Sequence, residues 1–106
     1  MNIQKMLKQA QQMQGKISDL QTELEGREFD GRSGGDLVKV VVTGKGKMVR
    51  LDVAKSLVDP EEKEVMEDLI IAAFNDAKEK ADATFSDEMG KIAGGMGLPA
   101  GMKMPF

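Results

Sequence analysis

A heptad seam at the start of the chain constrains its fold more than any other feature. Ile3, Met6, Ala10, Met13, Ile17, Leu20 and Leu24 are spaced alternately three and four residues apart, and the positions between them are mostly Gln, Lys and Glu. That is the a/d pattern of a helix packing along one narrow stripe against another helix. A lone helix with such a stripe is marginal in water, so a second helix must cover it, from the same chain or from another copy. Gly26 is the expected C-terminal stop. Gly15 lies inside the helix but off the seam, either as a tolerated weakness of about 1 kcal/mol relative to Ala or as a point of close approach.

The residues available for a core favour assembly. A chain of 106 residues supports one small domain, and its aromatic residues are four Phe, with no Tyr or Trp, so that nine Met supply much of the bulk. Such a core gains from burying area between subunits. Cover of the seam by a second copy is therefore expected, with a helix pair inside one chain as the alternative. Cys and His are absent. That excludes disulfides, thiolate and imidazole metal sites, cysteine nucleophiles and the commonest general base, and it suits a reducing cytoplasm. The polar, glutamine-rich N-terminus has no signal-peptide h-region, and no apolar run approaches the roughly 20 residues of a membrane span. A cytoplasmic protein with no membrane partner is expected.

Beyond the seam, Arg27 to Ser33 reads as an edge strand around Phe29, closed by Gly34-Gly35. Leu37 to Thr43 is β-branched and apolar on nearly both faces, as in a central strand. Gly44-Lys45-Gly46 supplies the positive φ angles of a tight hairpin loop. Lys47 to Val53 alternates, with Val49, Leu51 and Val53 on one face and Met48, Arg50 and Asp52 on the other, which predicts a half-buried strand. Asp59-Pro60-Glu61-Glu62 opens a second helix with an N-cap Asp and Pro at its first position. Its broad apolar face comprises Val65, Met66, Leu69, Ile70, Ala73, Phe74, Ala77, Ala81 and Phe85, and it runs to Met89 or just beyond. Asp76 and Lys80 form an i,i+4 pair on it.

The expected fold is α+β: a two-layer α-β-β-β-α subunit with a three-stranded antiparallel sheet in order 1-2-3 and long helices, forming a homodimer. Residues 1–93 make the single folded domain, and the Gly/Met/Pro-rich residues 94–106 make a C-terminal tail, either disordered or docked through its apolar side chains.

The formal charge of −3 conceals a partition. Residues 1–25 are neutral overall but hold all their lysines first, residues 26–58 carry a net +3, and residues 59–90 a net −8. Lys5, Lys8 and Lys16 on the first helix and Lys45, Lys47 and Arg50 at the hairpin are the candidate phosphate contacts, against the plainer reading of lysines that keep a surface soluble. No aromatic residues interleave them, which disfavours a single-strand stacking platform. Glu61, Glu62, Glu64, Glu67 and Asp68 read as a solvated helix start complementing its dipole rather than as a metal site. Gly44-Lys45-Gly46-Lys47 lacks the glycine spacing, the Ser or Thr after Lys and the following helix of a P-loop. Without His or a nucleophile motif, no catalytic residue, cofactor or small-molecule substrate is expected.

Four stretches resemble the YbaB/EbfC family of bacterial nucleoid-associated proteins: Met6 to Gln14, Ser33 to Val40, Glu67 to Ala77 and Gly97 to Phe106. The third is similar to the family's Glu-Asp-Leu-x-x-Ala-Ala-Phe-Asn-Asp-Ala block. The last is similar to its Leu-Pro-x-Gly-Phe-Lys-Met-Pro-Phe ending, with Met102 in place of the aromatic residue. The resemblance implies a homodimer whose helices project like tweezer arms and bind double-stranded DNA, a place in the nucleoid with influence on gene expression, and no enzymatic activity. By extrapolation it puts Lys5, Lys8 and Lys16 on the DNA-facing surface, ahead of Lys78, Lys80 and Lys91. The alternative function is a coiled-coil protein-binding adaptor or holdase, in which paired helices and Met-rich surfaces hold apolar clients.

Overall fold

The computed structural model describes residues 2–95. They form α1 (Ile3–Glu25), β1 (Glu28–Ser33), β2 (Val38–Thr43), β3 (Met48–Val53) and α2 (Lys63–Gly95), with short 3-10 turns at Lys55–Leu57 and Pro60–Glu62 leading into α2. The strands make an antiparallel sheet in the order β1-β2-β3, so the expected α+β architecture is the one observed. Of the expected C-terminal tail, Gly94 and Gly95 extend α2 past Met89, and residues 96–106 lie outside the described residues.

The valine-rich strand is central, as its two-sided hydrophobicity requires. Val38, Val40 and Val42 are fully buried on the face toward α2, while Lys39 is exposed on the other face. Phe29, Gly31 and Ser33 of β1 stand opposite Val42, Val40 and Val38, so they share that covered face.

α2 crosses the sheet on its smallest side chains. Ala73, Ala77 and Ala81 are buried at the crossing, and Gly31 lies beneath them. A Cβ on Gly31 would fall on the Ala73 carbonyl oxygen and the Ala77 amide nitrogen, so strand and helix backbones meet directly there. Polar bonds fasten the crossing on either side. The Ser33 hydroxyl donates to the Leu69 carbonyl at 2.5 Å, the Arg32 amide donates to the Asp76 carboxylate at 3.1 Å, and the Lys80 ammonium donates to the Asp30 carbonyl at 2.8 Å. The expected Asp76–Lys80 pair forms, at 3.4 Å. Asp76 is held below the usual carboxylate range, chiefly by the Arg32 amide and also by Lys80.

β3 departs from its expected half-buried state. α2 lies over β1 and β2 and leaves β3 uncovered, so Val49 is 46% and Leu51 47% exposed, and Val53 alone of that face is half-buried. A bulge also breaks the expected alternation. Arg50 pairs with Val41 but Met48 with Val42, which makes Val49 the additional residue and turns Met48 to the side of Leu51.

The two loops use glycine differently. Gly34, Gly35 and Asp36 all have positive φ, at 60°, 62° and 73°, and they turn β1 into β2. In the β2–β3 hairpin only Gly46 has positive φ, at 84°, whereas Gly44 is required for space: a Cβ there would collide with the Leu24 backbone of α1. Gly15 has nothing within 4 Å, so it is a tolerated weakness in α1 rather than a close-approach point within the chain.

Candidate nucleic-acid interface

The seam on α1 is divided. Leu20 and Leu24 are buried and join the core with Ala81 and Met89 of α2, and Ile17 packs against that cluster. Met13 is half-buried, Ala10 is exposed, and Met6 and Ile3 are exposed at 52% and 71%. The inner half of the seam is thus covered by the same chain, and the outer half stands free of the described residues. α1 leaves the core as an arm, in a molecule measuring 67 × 24 × 16 Å.

Lys5, Lys8 and Lys16 are exposed on this arm and form no ion pair with any described residue. At 3.6 residues per turn they fall within an arc of about 80°, on the side of the helix turned away from the seam, and span about 17 Å of helix. Asp19 and Glu23 continue the same stripe toward the core, so the stripe is basic at its outer end and acidic at its inner end.

The arm's tip adds to the positive potential through its cap. Asn2 caps α1 with a neutral side chain whose oxygen accepts from the Gln4 amide at 3.1 Å, and no acidic residue occupies the first turn. The positive end of the helix dipole is left uncompensated beside Lys5 and Lys8. An Asn before an apolar-periodic run is a legible cap signal.

The hairpin bases are not brought to the arm tip. Gly44 rests on Leu24, about 28 Å of helix from Lys5. Lys45 is paired with Glu25 at 2.8 Å, which ties the hairpin to the root of α1. Lys47 and Arg50 are exposed and have no ion-pair partner among the described residues, with Arg50 on the sheet face away from α2 beside Asp30, Arg32, Lys39 and Asp52. On α2, Lys78 and Lys91 are engaged with Asp82 at 2.6 Å and Glu88 at 3.2 Å, and Lys80 with Asp76, so each of these ammonium groups already has a carboxylate beside it. Among the described residues no cluster of acidic side chains could hold a metal ion, and no helix is long and apolar enough to cross a membrane.

Comparison with known proteins bears on what such an arm does. The sequence matches the YbaB/EbfC DNA-binding family over residues 1–96. It is 48% identical to nucleoid-associated proteins of Granulibacter bethesdensis and Rhodospirillum rubrum, in each case over 99% of this chain and 98% of the relative. A nucleoid-associated protein of Rickettsia felis is 46% identical over the same shares. Among solved structures, an uncharacterized protein from Helicobacter pylori superposes with a TM-score of 0.72 at 25% identity, covering 82% of this chain and 91% of that one.

Proposed function

Because the chain belongs to the YbaB/EbfC DNA-binding family, we propose that it is a nucleoid-associated protein that binds double-stranded DNA as a homodimer and influences gene expression from the nucleoid. The observation that carries this reading is the arm. Lys5, Lys8 and Lys16 stand unpaired on one stripe at the free end of α1, beside an uncompensated helix N-terminus. Lysine ammonium groups at that spacing neutralise backbone phosphates and release counterions, which gives affinity without base readout. The chain's net negative charge does not oppose this, because the lysines sit at the tip while the acidic groups are concentrated on α2 and nearer the core. Two arms, one from each copy, double the number of contacts. DNA binding by position and charge needs no catalytic group.

Six lysine–phosphate contacts in a dimer give a slope of about −5 for log Kobs against log salt, or a loss of about 10³-fold between 50 and 200 mM salt. Fluorescence anisotropy of a labelled duplex across that range measures it. Replacing Lys5, Lys8 and Lys16 together by Gln should flatten the slope. A salt-independent signal, or a triple variant that binds like the parent chain, overturns the arm as the DNA-contacting element. The exposed Ile3, Met6 and Leu7 at the tip favour the adaptor reading in that event, to be tested by suppression of client aggregation without any shift of duplex DNA.

A further inference from the structure

The cover on the seam of α1 runs out where α2 ends. Leu24 rests against Gly44, and Lys78 of α2 lies beside Gly46 of the same hairpin, so the two helices leave one joint side by side, one toward its N-terminus and the other toward its C-terminus. Ala93, the last buried residue of α2, stands about 22 Å of helix from Lys78, and Ala10 stands about 21 Å from Leu24. Those two residues are therefore at about the same level. Met13, just inside it, is half-buried, whereas Ala10, Leu7 and Met6 are exposed, and α1 runs on for about 10 Å beyond Ala10.

The chain continues from that level with a segment of matching chemistry. In residues 96–106 every even-numbered position is apolar, and Met96, Leu98, Ala100, Met102, Met104 and Phe106 alternate with glycines, prolines and Lys103. Glycine and proline oppose a continued helix, and each proline biases the residue before it toward extended backbone. Extended chain sends alternate side chains to opposite sides, so such a segment presents an apolar side and leaves Lys103 on the other. The prolines donate no hydrogen bond, which disfavours pairing with a sheet edge and makes side-chain contact the means of attachment. Lengths agree as well. Met96 to Leu98 spans about 10 Å when extended, the length of the open strip, and Leu98-Pro99-Ala100-Gly101 carries Pro and Gly at the second and fourth positions of a type I turn. A return leg from Met102 to Phe106 then covers about 13 Å, back to the level of Ala10.

We propose that residues 96–106 dock on the outer seam of their own α1, setting their even-numbered side chains against Met6, Leu7, Ala10 and the open side of Met13. Apolar burial drives the contact. The tether at Gly95 favours this occupant over a second copy, because it holds the segment beside the seam at an effective concentration on the order of millimolar. Lys5, Lys8 and Lys16 face away from the seam and stay free. Lys103 adds one more ammonium group to the arm.

The chain has no tryptophan, so Phe106→Trp in the full-length protein gives emission from that position alone. Without DNA, this emission should lie to the blue of free tryptophan in the same buffer. Adding Met6→Asp with Ala10→Asp should return it to the free value while far-UV circular dichroism stays that of the parent chain, and Met6→Lys with Ala10→Lys gives a second seam variant of opposite charge. Free-tryptophan emission with the seam intact, or a blue shift that both seam variants leave in place, overturns the docking. Mixing identifies whose α1 is occupied. An excess of tryptophan-free chain with an intact seam should not restore the blue shift of the chain that carries both Phe106→Trp and the altered seam. Restoration would mean that the segment docks on a second copy, and overturns the proposal. Duplex binding is measured separately, so the DNA reading stands or falls independently of each of these results.

Discussion

Gly31 makes the tightest demand of any single residue. Its position under Ala73 and Ala77 leaves no room for a methyl group, and the obstructing atoms are backbone. Gly31→Ala should therefore lower stability by about 2–3 kcal/mol, measured by urea denaturation, because the whole crossing must lift. Asp76 makes an electrostatic demand beside it. Its carboxyl is held below the ordinary value by the Arg32 amide and Lys80, so the folded state favours the ionised form. The contribution is complete above the unfolded value of about 4 and is lost as pH falls through the lowered native value. An NMR titration should place the Asp76 midpoint below that of an unperturbed aspartate, and Asp76→Asn should reduce the fall in Tm over that acid range. The sequence made Ala73, Ala77 and Ala81 legible as part of the apolar face of α2. It did not show that these small residues, rather than Met66 or Phe74, take the centre, because that depends on a glycine distant in sequence.

Among the elements, β2 and the start of α2 were the most legible, since a two-sided valine run and an Asp-Pro cap each have one physical solution. The Asp59 side chain does accept from the Glu61 amide, at 3.0 Å, though the chain makes a 3-10 turn before α2 begins at Lys63. The burial of β3 is not legible in its sequence, because alternation reveals which residues share a face and says nothing about whether a helix reaches that face. The seam on α1 was legible as a pattern, but not where its cover would end. Its two halves should respond differently to truncation. Leu20→Ala and Leu24→Ala should each cost about 2–5 kcal/mol, as for buried aliphatic residues, whereas Ile3→Ala should stay within about 0.5 kcal/mol. Thermal denaturation of the single variants, at a fixed protein concentration, checks the contrast. A large loss at Ile3 instead would mean that a second copy covers the outer seam.

For the whole molecule, the separation of jobs along one chain matters most. Lys5, Lys8 and Lys16 lie toward the free end of α1, while the exposed strand β3 follows the hairpin at the root of that helix, so the two places can be altered independently by mutation. On the proposed dimeric reading, a variant that cannot dimerise keeps its lysines but loses the second arm. Its affinity for duplex DNA should fall by about 10²-fold or more from lost avidity, and its salt slope should halve to about −2.5, both read from anisotropy titrations at two salt concentrations. The root of the arm governs where its tip lies. The Leu24 carbonyl accepts from the amides of Gly44 at 2.9 Å and Arg27 at 3.1 Å, so the hairpin and the end of α1 are held at one small joint. Packing against the core extends out to Ile17, and about 18 Å of helix runs from there to Lys5, which makes the outer half of α1 a lever. A bend of about 10° beyond Ile17 would swing Lys5 by about 3 Å, so the reach of the proposed DNA-binding arm is set where the core packing ends.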